Sequence, residues 1–361
     1  MNATLRADAV EEAQEALRGH EHVLARGGGT KPALSNPPEG TATLDMSGLT
    51  GIEEYDPEEL TFTARAGTPL CDIEDALAEN GQYLPFDPPL VAAGATLGGA
   101  VAAGTSGPLR YRNGGVRDFI LGVRFLDGEG TVVTAGGRVV KNAAGFDLAK
   151  LMVGSAGRLG VLVELSFKVF PQPEAWATLT VDCGGLEEAL EVIGALATAP
   201  FDLEALDLEP PGRLRLRLAG IADAMRARLE RLEAILERSG ERLEGEEEGA
   251  LWREARDFAW VAQDAAVVKV ALVPKQVPEL EAKLERLEVE RRYGAGANIG
   301  WLAWPGERSV EELDELLRSL DLAGVFLTGS PSKPMVGAHR GGAFAQRVKS
   351  ALDPSGRFPE V

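Results

Sequence analysis

The sequence predicts an α+β protein of two domains, and three observations carry that expectation. Residues 1–173 mix short strands with glycine-rich turns. After Pro173 glycine thins out, and Glu/Arg/Leu helices begin to alternate with short strands. From about residue 331 the chain returns to glycine, as if rejoining the first part. A length of 361 residues accommodates this division. The expected layout is a first domain over 1–173, a smaller antiparallel-sheet-plus-helices domain over 174–330, and a C-terminal segment over 331–361 that returns to the first domain.

The elements of the first domain follow in order. Val10, Ala13, Ala16 and Leu17 fall on one face of a short helix over 7–18. His22 to Arg26 reads as a strand running into Arg26, Gly27, Gly28, Gly29, Thr30 and Lys31, a glycine turn with a cation on each side. The turn has no GK[ST] ending and no helix after it, so it is neither a phosphate-binding P-loop nor a dinucleotide fingerprint. Alone it reads by default as a plain hairpin turn. Thr41 to Leu44 and Leu60 to Ala66 are strands, with turn material around Tyr55, Asp56 and Pro57. Leu70, Ile73, Ala76 and Leu77 form the buried face of a helix that Gly81 ends, and Cys71 on it is expected in the core. Tyr83 to Pro89, with three prolines, is rigid and non-helical, suited to a pocket wall.

The stretch 94–118 organises this half. It carries seven glycines and three arginines, and Leu90 to Arg117 holds no carboxylate, in a chain of net charge -19. Glycine lets a ligand approach main-chain amides closely, so the local reversal of sign points to an anion-binding surface. A solvated glycine-rich loop is the plain alternative. Beyond it, Ile120 to Leu126 and Thr131 to Thr134 form a hairpin, Phe146 to Met152 a helix, Gly154 to Gly160 a second glycine turn and Val161 to Phe170 a strand. Arg138, Lys141, Lys150 and Arg158 against Asp147 alone make a second reversal of charge over 135–163.

In the second domain, strand-like runs at 176–183, 203–208, 213–219, 266–273, 298–304 and 322–328 alternate with helices at 185–197, 222–239, 275–287 and 309–320. The order suggests two repeated βαββα units on one antiparallel sheet. The charged run Glu241 to Glu248 reads as a solvated helix or loop, and Ala343 to Leu352 as a last helix.

Composition excludes several functions. A pI near 4.7 argues against nucleic acid or an anionic membrane as partner. The N-terminus has no signal-peptide core and no window approaches a membrane span, so a cytoplasmic protein without direct membrane insertion is expected. Two cysteines, Cys71 and Cys183, make no disulfide framework or metal site, and three histidines limit both metal and base chemistry. No metal is expected in the chain itself.

Taken together and in this order, RGGGTK at 26–31, ATLGGAVAAGTSG at 95–107 followed by RYRNGGVRD at 110–118, and VKNAAGFDLAKLMVGSAGRLGVL at 140–162 resemble the vanillyl-alcohol oxidase, or p-cresol methylhydroxylase (PCMH) type, FAD-binding family. Within it the match is nearest the FAD-binding subunits of bacterial glycolate oxidases. The resemblance is strong over 20–172 and implies a PCMH-type domain of two α+β subdomains followed by a cap. It implies that Arg26 to Lys31 hold the FAD diphosphate. Thr96, Leu97, Gly98 and Gly99, with Ala103, Gly104, Thr105, Ser106 and Gly107, would pass along the ribityl chain and the flavin ring. Gly114 and the turn holding Gly157, Gly160 and Val161 would line the adenine and diphosphate side, and Pro88, Arg110 and Asp147 are further cofactor-binding candidates. The FAD would be non-covalent, because no His or Cys lies between residues 72 and 182 and Tyr83 and Tyr111 sit off the usual tethering position.

Catalytic relatives of this family carry a histidine-rich metal motif and a further histidine base, whereas the C-terminal half here has only His339. The family's usual ending is also replaced by LDPSGRFPEV. The implied role is therefore an FAD-binding subunit of a glycolate-oxidising complex, with a homologous FAD-containing catalytic subunit and an iron-sulfur subunit as partners. Two other readings stay open: a self-sufficient FAD-dependent 2-hydroxy-acid dehydrogenase, and a structural subunit that has lost FAD. His339 and Arg340 are the remaining candidates for base and carboxylate clamp, or are surface residues that open the last helix.

Overall fold

The computed structural model describes residues 3–137 and 146–360. Arg138, Lys141 and the 140–145 part of the third motif lie outside the described residues. The chain folds as two units, one of residues 1–106, 115–172 and 339–361, the other of residues 107–114 and 173–338.

The first unit is α+β and holds two main sheets. A parallel three-stranded sheet has the order Thr4–Arg6, Ala42–Asp45, Val23–Arg26. An antiparallel five-stranded sheet has the order Ile52–Asp56, Thr61–Arg65, Val161–Lys168, Ile120–Leu126, Val132–Gly136. One core joins them: Ala13 and Leu17 of the first helix, Val23 and Leu44 of the parallel sheet, and Leu126, Val161 and Val163 of the antiparallel sheet are all buried together with Phe358. Removing this much apolar surface from water fixes how the two subdomains pack. The helix Leu70–Ala78 buries Leu70, Ile73 and Leu77. Cys71, expected in the core, is exposed, because its position falls off that face.

Ile52–Asp56 is a strand rather than the turn material its sequence suggests, since Tyr55 and Asp56 pair with Phe62 and Thr61. The helix expected from Phe146 begins at Leu148, where Asp147 caps it by accepting the Lys150 amide at 3.1 Å. Phe146 stands almost wholly exposed.

The second unit is a nine-stranded sheet whose neighbouring strands pair antiparallel. Ala175–Asp182, Ala205–Glu209, Arg213–Gly220 and Glu241–Glu244 stand in the order fourth, first, third, second. Ala265–Ala271, Glu290–Gly294, Ile299–Pro305 and Ala323–Phe326 repeat that order in mirror sequence. The two quartets meet where Leu208 pairs with Tyr293. Each quartet has helices after its first and third strands, Leu186–Leu196 and Ala222–Leu236 in one, Val277–Arg286 and Val310–Ser319 in the other. Both are thus βαββαβ units, one strand longer than the repeat expected from sequence.

Three strands escape the sequence pattern. Glu241–Glu244 has the composition of a charged helix or loop, yet it pairs with Ala177–Thr180 as an edge strand, where charge is tolerated. Glu290–Gly294 carries two arginines, and its Arg291 is held by Glu281. Met335–Gly337 pairs with Ala323–Val325. This last strand keeps 331–338 in the second unit, so the return to the first comes at His339 rather than 331.

Candidate cofactor cleft

The strand Val23–Arg26 runs out of the parallel sheet directly into the glycine loop. Two of these glycines are required by close approach. A Cβ on Gly27 would run into the Thr96 hydroxyl, and one on Gly28 into the Gly94 carbonyl. Gly29 adopts φ +67°, and the Arg26 guanidinium folds over it. The consequence is a loop pressed against 94–96. Among the described residues, the amides of Gly27, Gly28, Gly29 and Thr30 donate to no protein group. Consecutive amides without protein acceptors, beside Arg26 and Lys31, form a nest for an anion.

The helix Leu97–Ala103 supplies the next surface. Thr96 caps it by accepting the Gly99 amide at 3.2 Å, while the Leu97 and Gly98 amides donate to Thr68 and Ala66 at 3.0 and 2.7 Å. Its first-turn donors are thus consumed internally. What it offers is a smooth face of Gly98, Gly99 and Ala102, with Gly98 packed so closely on Ala66 that a Cβ would come within 2.8 Å.

The turn 154–160 is the third surface. The Gly154 and Ala156 amides donate to Val101 and Ala102 of the helix at 2.9 and 2.8 Å. Gly157 has φ +74°, and Gly160 packs on Phe125, whose ring a Cβ would approach to 2.7 Å. Across from these contacts Ser35 Oγ donates to the Ala156 carbonyl at 3.0 Å and Arg158 Nη2 to the Leu34 carbonyl at 2.9 Å.

The three ribbons line one cleft of about 1050 Å³ counting its open mouth. Arg26 and Lys31 are the charged residues of its lining, which has no carboxylate. A long ligand with phosphates therefore finds amides and cations at the glycine loop and a small-residue floor beyond it. FAD meets that description, and the residues present fit it.

The sequence-expected residues divide plainly. Arg26, Gly27, Gly28, Gly29, Thr30, Lys31, Thr96, Gly98, Gly99, Gly157 and Gly160 open onto the cleft. Leu97 and Val161 are fully buried in the core. Gly104 ends the helix at φ +59°, Ser106 Oγ accepts the Val116 amide at 3.0 Å, and Thr105 is fully buried with its hydroxyl unpartnered among the described residues. These three and Ala103 lie outside the cleft lining. Pro88 is buried in a segment that packs through Phe86 on Phe119 and Phe167, at centroid distances of 6.3 and 5.2 Å. Asp147 is spent on its helix cap and an ion pair with Lys150 at 3.2 Å.

Gly107, Arg110 and Gly114 belong to the second unit. There the Tyr111 ring packs on Gly296 and Arg112 pairs with Asp202 at 2.8 Å. Burial, and then the charge of Arg110, push the Lys269 ammonium down to about 8. His339 and Arg340 are exposed just before the helix Gly342–Leu352. Sequence pattern does not single out Ser35 and Ala156, whose contact closes the cleft, and it marks Arg158 only as charge.

The comparisons with known proteins agree with this geometry. A family model described as an FAD binding domain matches residues 2–136. Glycolate oxidase subunit GlcE of Escherichia coli is 34% identical, over 97% of this chain and 94% of its own length. Glycolate oxidase subunit GlcD of Bacillus subtilis is 31% identical over 51% of this chain and 40% of its own. A mitochondrial cytochrome D-lactate dehydrogenase of Saccharomyces cerevisiae is 30% identical over 49% of this chain and 30% of its own. Partial matches of this kind cover about half of the chain, whereas GlcE spans nearly all of it. By its cleft and by these similarities together, the chain belongs to the FAD-binding family of the glycolate oxidase subunit GlcE.

Proposed function

We propose that this chain is the FAD-binding subunit of a glycolate oxidase complex, which oxidises glycolate to glyoxylate and passes the electrons to partner subunits. The carrying observation is similarity to GlcE along nearly the whole chain, joined to a cleft whose amides and cations suit a diphosphate. When bound, FAD supplies the two-electron redox chemistry of the complex. The chain's own residues do the holding. Amides of Gly27 to Thr30 and the side chains of Arg26 and Lys31 would hold the diphosphate, and the floor of Gly98, Gly99 and Ala102 would carry the rest of the cofactor.

The base that abstracts a substrate proton lies in a partner on this reading. Three histidines, two of them at positions 20 and 22, leave His339 as the one histidine of the C-terminal half. It is exposed and cannot serve as both metal ligand and base. The partners on this reading are a homologous FAD-containing catalytic subunit and an iron-sulfur subunit. Among the described residues no helix is long and apolar enough to cross a membrane.

The test is reconstitution. The purified chain should be yellow, release FAD on acid treatment and reduce no dye with glycolate until its partners are added. Anaerobic bleaching of its flavin by a hydroxy acid in the isolated chain would instead make it a self-sufficient dehydrogenase.

A further inference from the structure

The loop 32–35 and the turn 156–160 both line the cofactor cleft, and one side chain ties them to a third segment. Arg158 Nη2 donates to the Leu34 carbonyl at 2.9 Å, and Arg158 Nε donates to the Glu360 carbonyl at 2.8 Å. Among the described residues no carboxylate pairs with this guanidinium, and desolvation lowers its pKa. A half-buried arginine spent on two main-chain carbonyls is costly unless the geometry it fixes is needed.

The segment it reaches is itself firmly held. The Val23 amide, on the strand that enters the glycine loop, donates to the Arg357 carbonyl at 2.8 Å. Arg357 Nη1 donates to the carbonyls of Leu17, at 3.2 Å, and of His20. Phe358 is packed in the core that joins the two sheets. Residues 357–360 thus form a strap with one end on the glycine-loop strand and the other on Arg158. Ser35 Oγ to the Ala156 carbonyl, 3.0 Å, is a second tie between the same two cleft walls.

We propose that Arg158 is a positioning residue for the cofactor: it clamps the 32–35 and 156–160 walls to the C-terminal strap, so that the cleft is held at the width FAD needs. This rests on the reading of the cleft as the FAD site. Arg158 touches no phosphate in this role; it acts through Leu34 and the turn. The clamp slows cofactor escape more than it stabilises the fold, because the core beneath stays intact without it.

Titration of apoprotein with FAD, followed by flavin fluorescence, tests this with the full chain. Wild type must bind FAD, and failure there would overturn the site itself rather than the clamp. Given binding, Arg158→Gln should raise the Kd about tenfold with a faster off-rate, Ser35→Ala should raise it severalfold, and a chain ending at Phe358 should resemble Arg158→Gln. Arg158→Lys, which keeps one donor to one carbonyl, should recover part of the loss. In the second unit Asp314 accepts the Gly337 amide at 2.6 Å and pairs with Lys333 at 2.8 Å, so Asp314→Asn should lower stability there and, as a control, leave the Kd unchanged at temperatures where it is folded. A Kd within twofold of wild type in folded Arg158→Gln and in the shortened chain would overturn the proposal. So would a loss that Asp314→Asn reproduces.

Discussion

Lys349 and Asp353 form a buried ion pair one helical turn apart, both about 3% exposed, with Nζ to Oδ2 at 2.5 Å. The carboxylate also accepts the Arg357 and Phe358 amides, each at 2.9 Å, and Lys349 donates again to the Phe358 carbonyl at 2.9 Å. The pair therefore shapes the turn that delivers the strap. Breaking it from one side leaves a charge buried without its partner, which costs ~3–5 kcal/mol. Asp353→Asn and Lys349→Met should each lower unfolding free energy by about that much in urea melts, and the double variant should lose less than the sum. Strict additivity would show that the pair is not a unit.

Glycines on the cleft and away from it should respond oppositely. Gly28→Ala drives a methyl into the Gly94 carbonyl, so it should weaken FAD binding at least tenfold by displacing the anion nest. Gly194 sits within the helix Leu186–Leu196, where an added Cβ would meet nothing within 4 Å and no positive φ stands in the way. Gly194→Ala should stabilise by ~0.5–1 kcal/mol and leave FAD affinity alone, as melts and titrations would show.

Lys269 is a half-buried cation whose pKa is pushed down to about 8, below its ordinary value of 10.5. A lysine with a depressed folded pKa weakens the fold while it is charged, so stability should rise as pH climbs from about 8 through the unfolded value. Lys269→Met should remove that rise, and at pH 7 should stabilise by on the order of 2 kcal/mol. An unchanged slope of stability against pH in this variant would exclude Lys269 as its source.

What is legible in the sequence follows from pattern and composition. The cofactor ribbons are visible because glycine and missing carboxylates stand out in an acidic chain, and Met225, Leu229 and Leu232 mark their helix by spacing alone. Edge and bridging strands are not. Glu241–Glu244 and Glu290–Gly294 are charged on the face that long-range partners satisfy, so no period of two shows locally. Cys71 lies one step around its helix from the face that is buried. Pro88, Asp147 and Val161 come to the cofactor only through resemblance, and their neighbours in the fold account for them without it. Arg158 is illegible as anything but charge, because its partners are backbone carbonyls far away in sequence.

The most direct measurement is the absorption spectrum and FAD titration of the isolated chain, wild type against Arg26→Glu. The wild-type protein should be yellow, release its FAD intact on acid treatment, and bind FAD at least tenfold more tightly than Arg26→Glu. A colourless wild type without affinity for FAD, or an Arg26→Glu chain that binds as well as wild type, would contradict this.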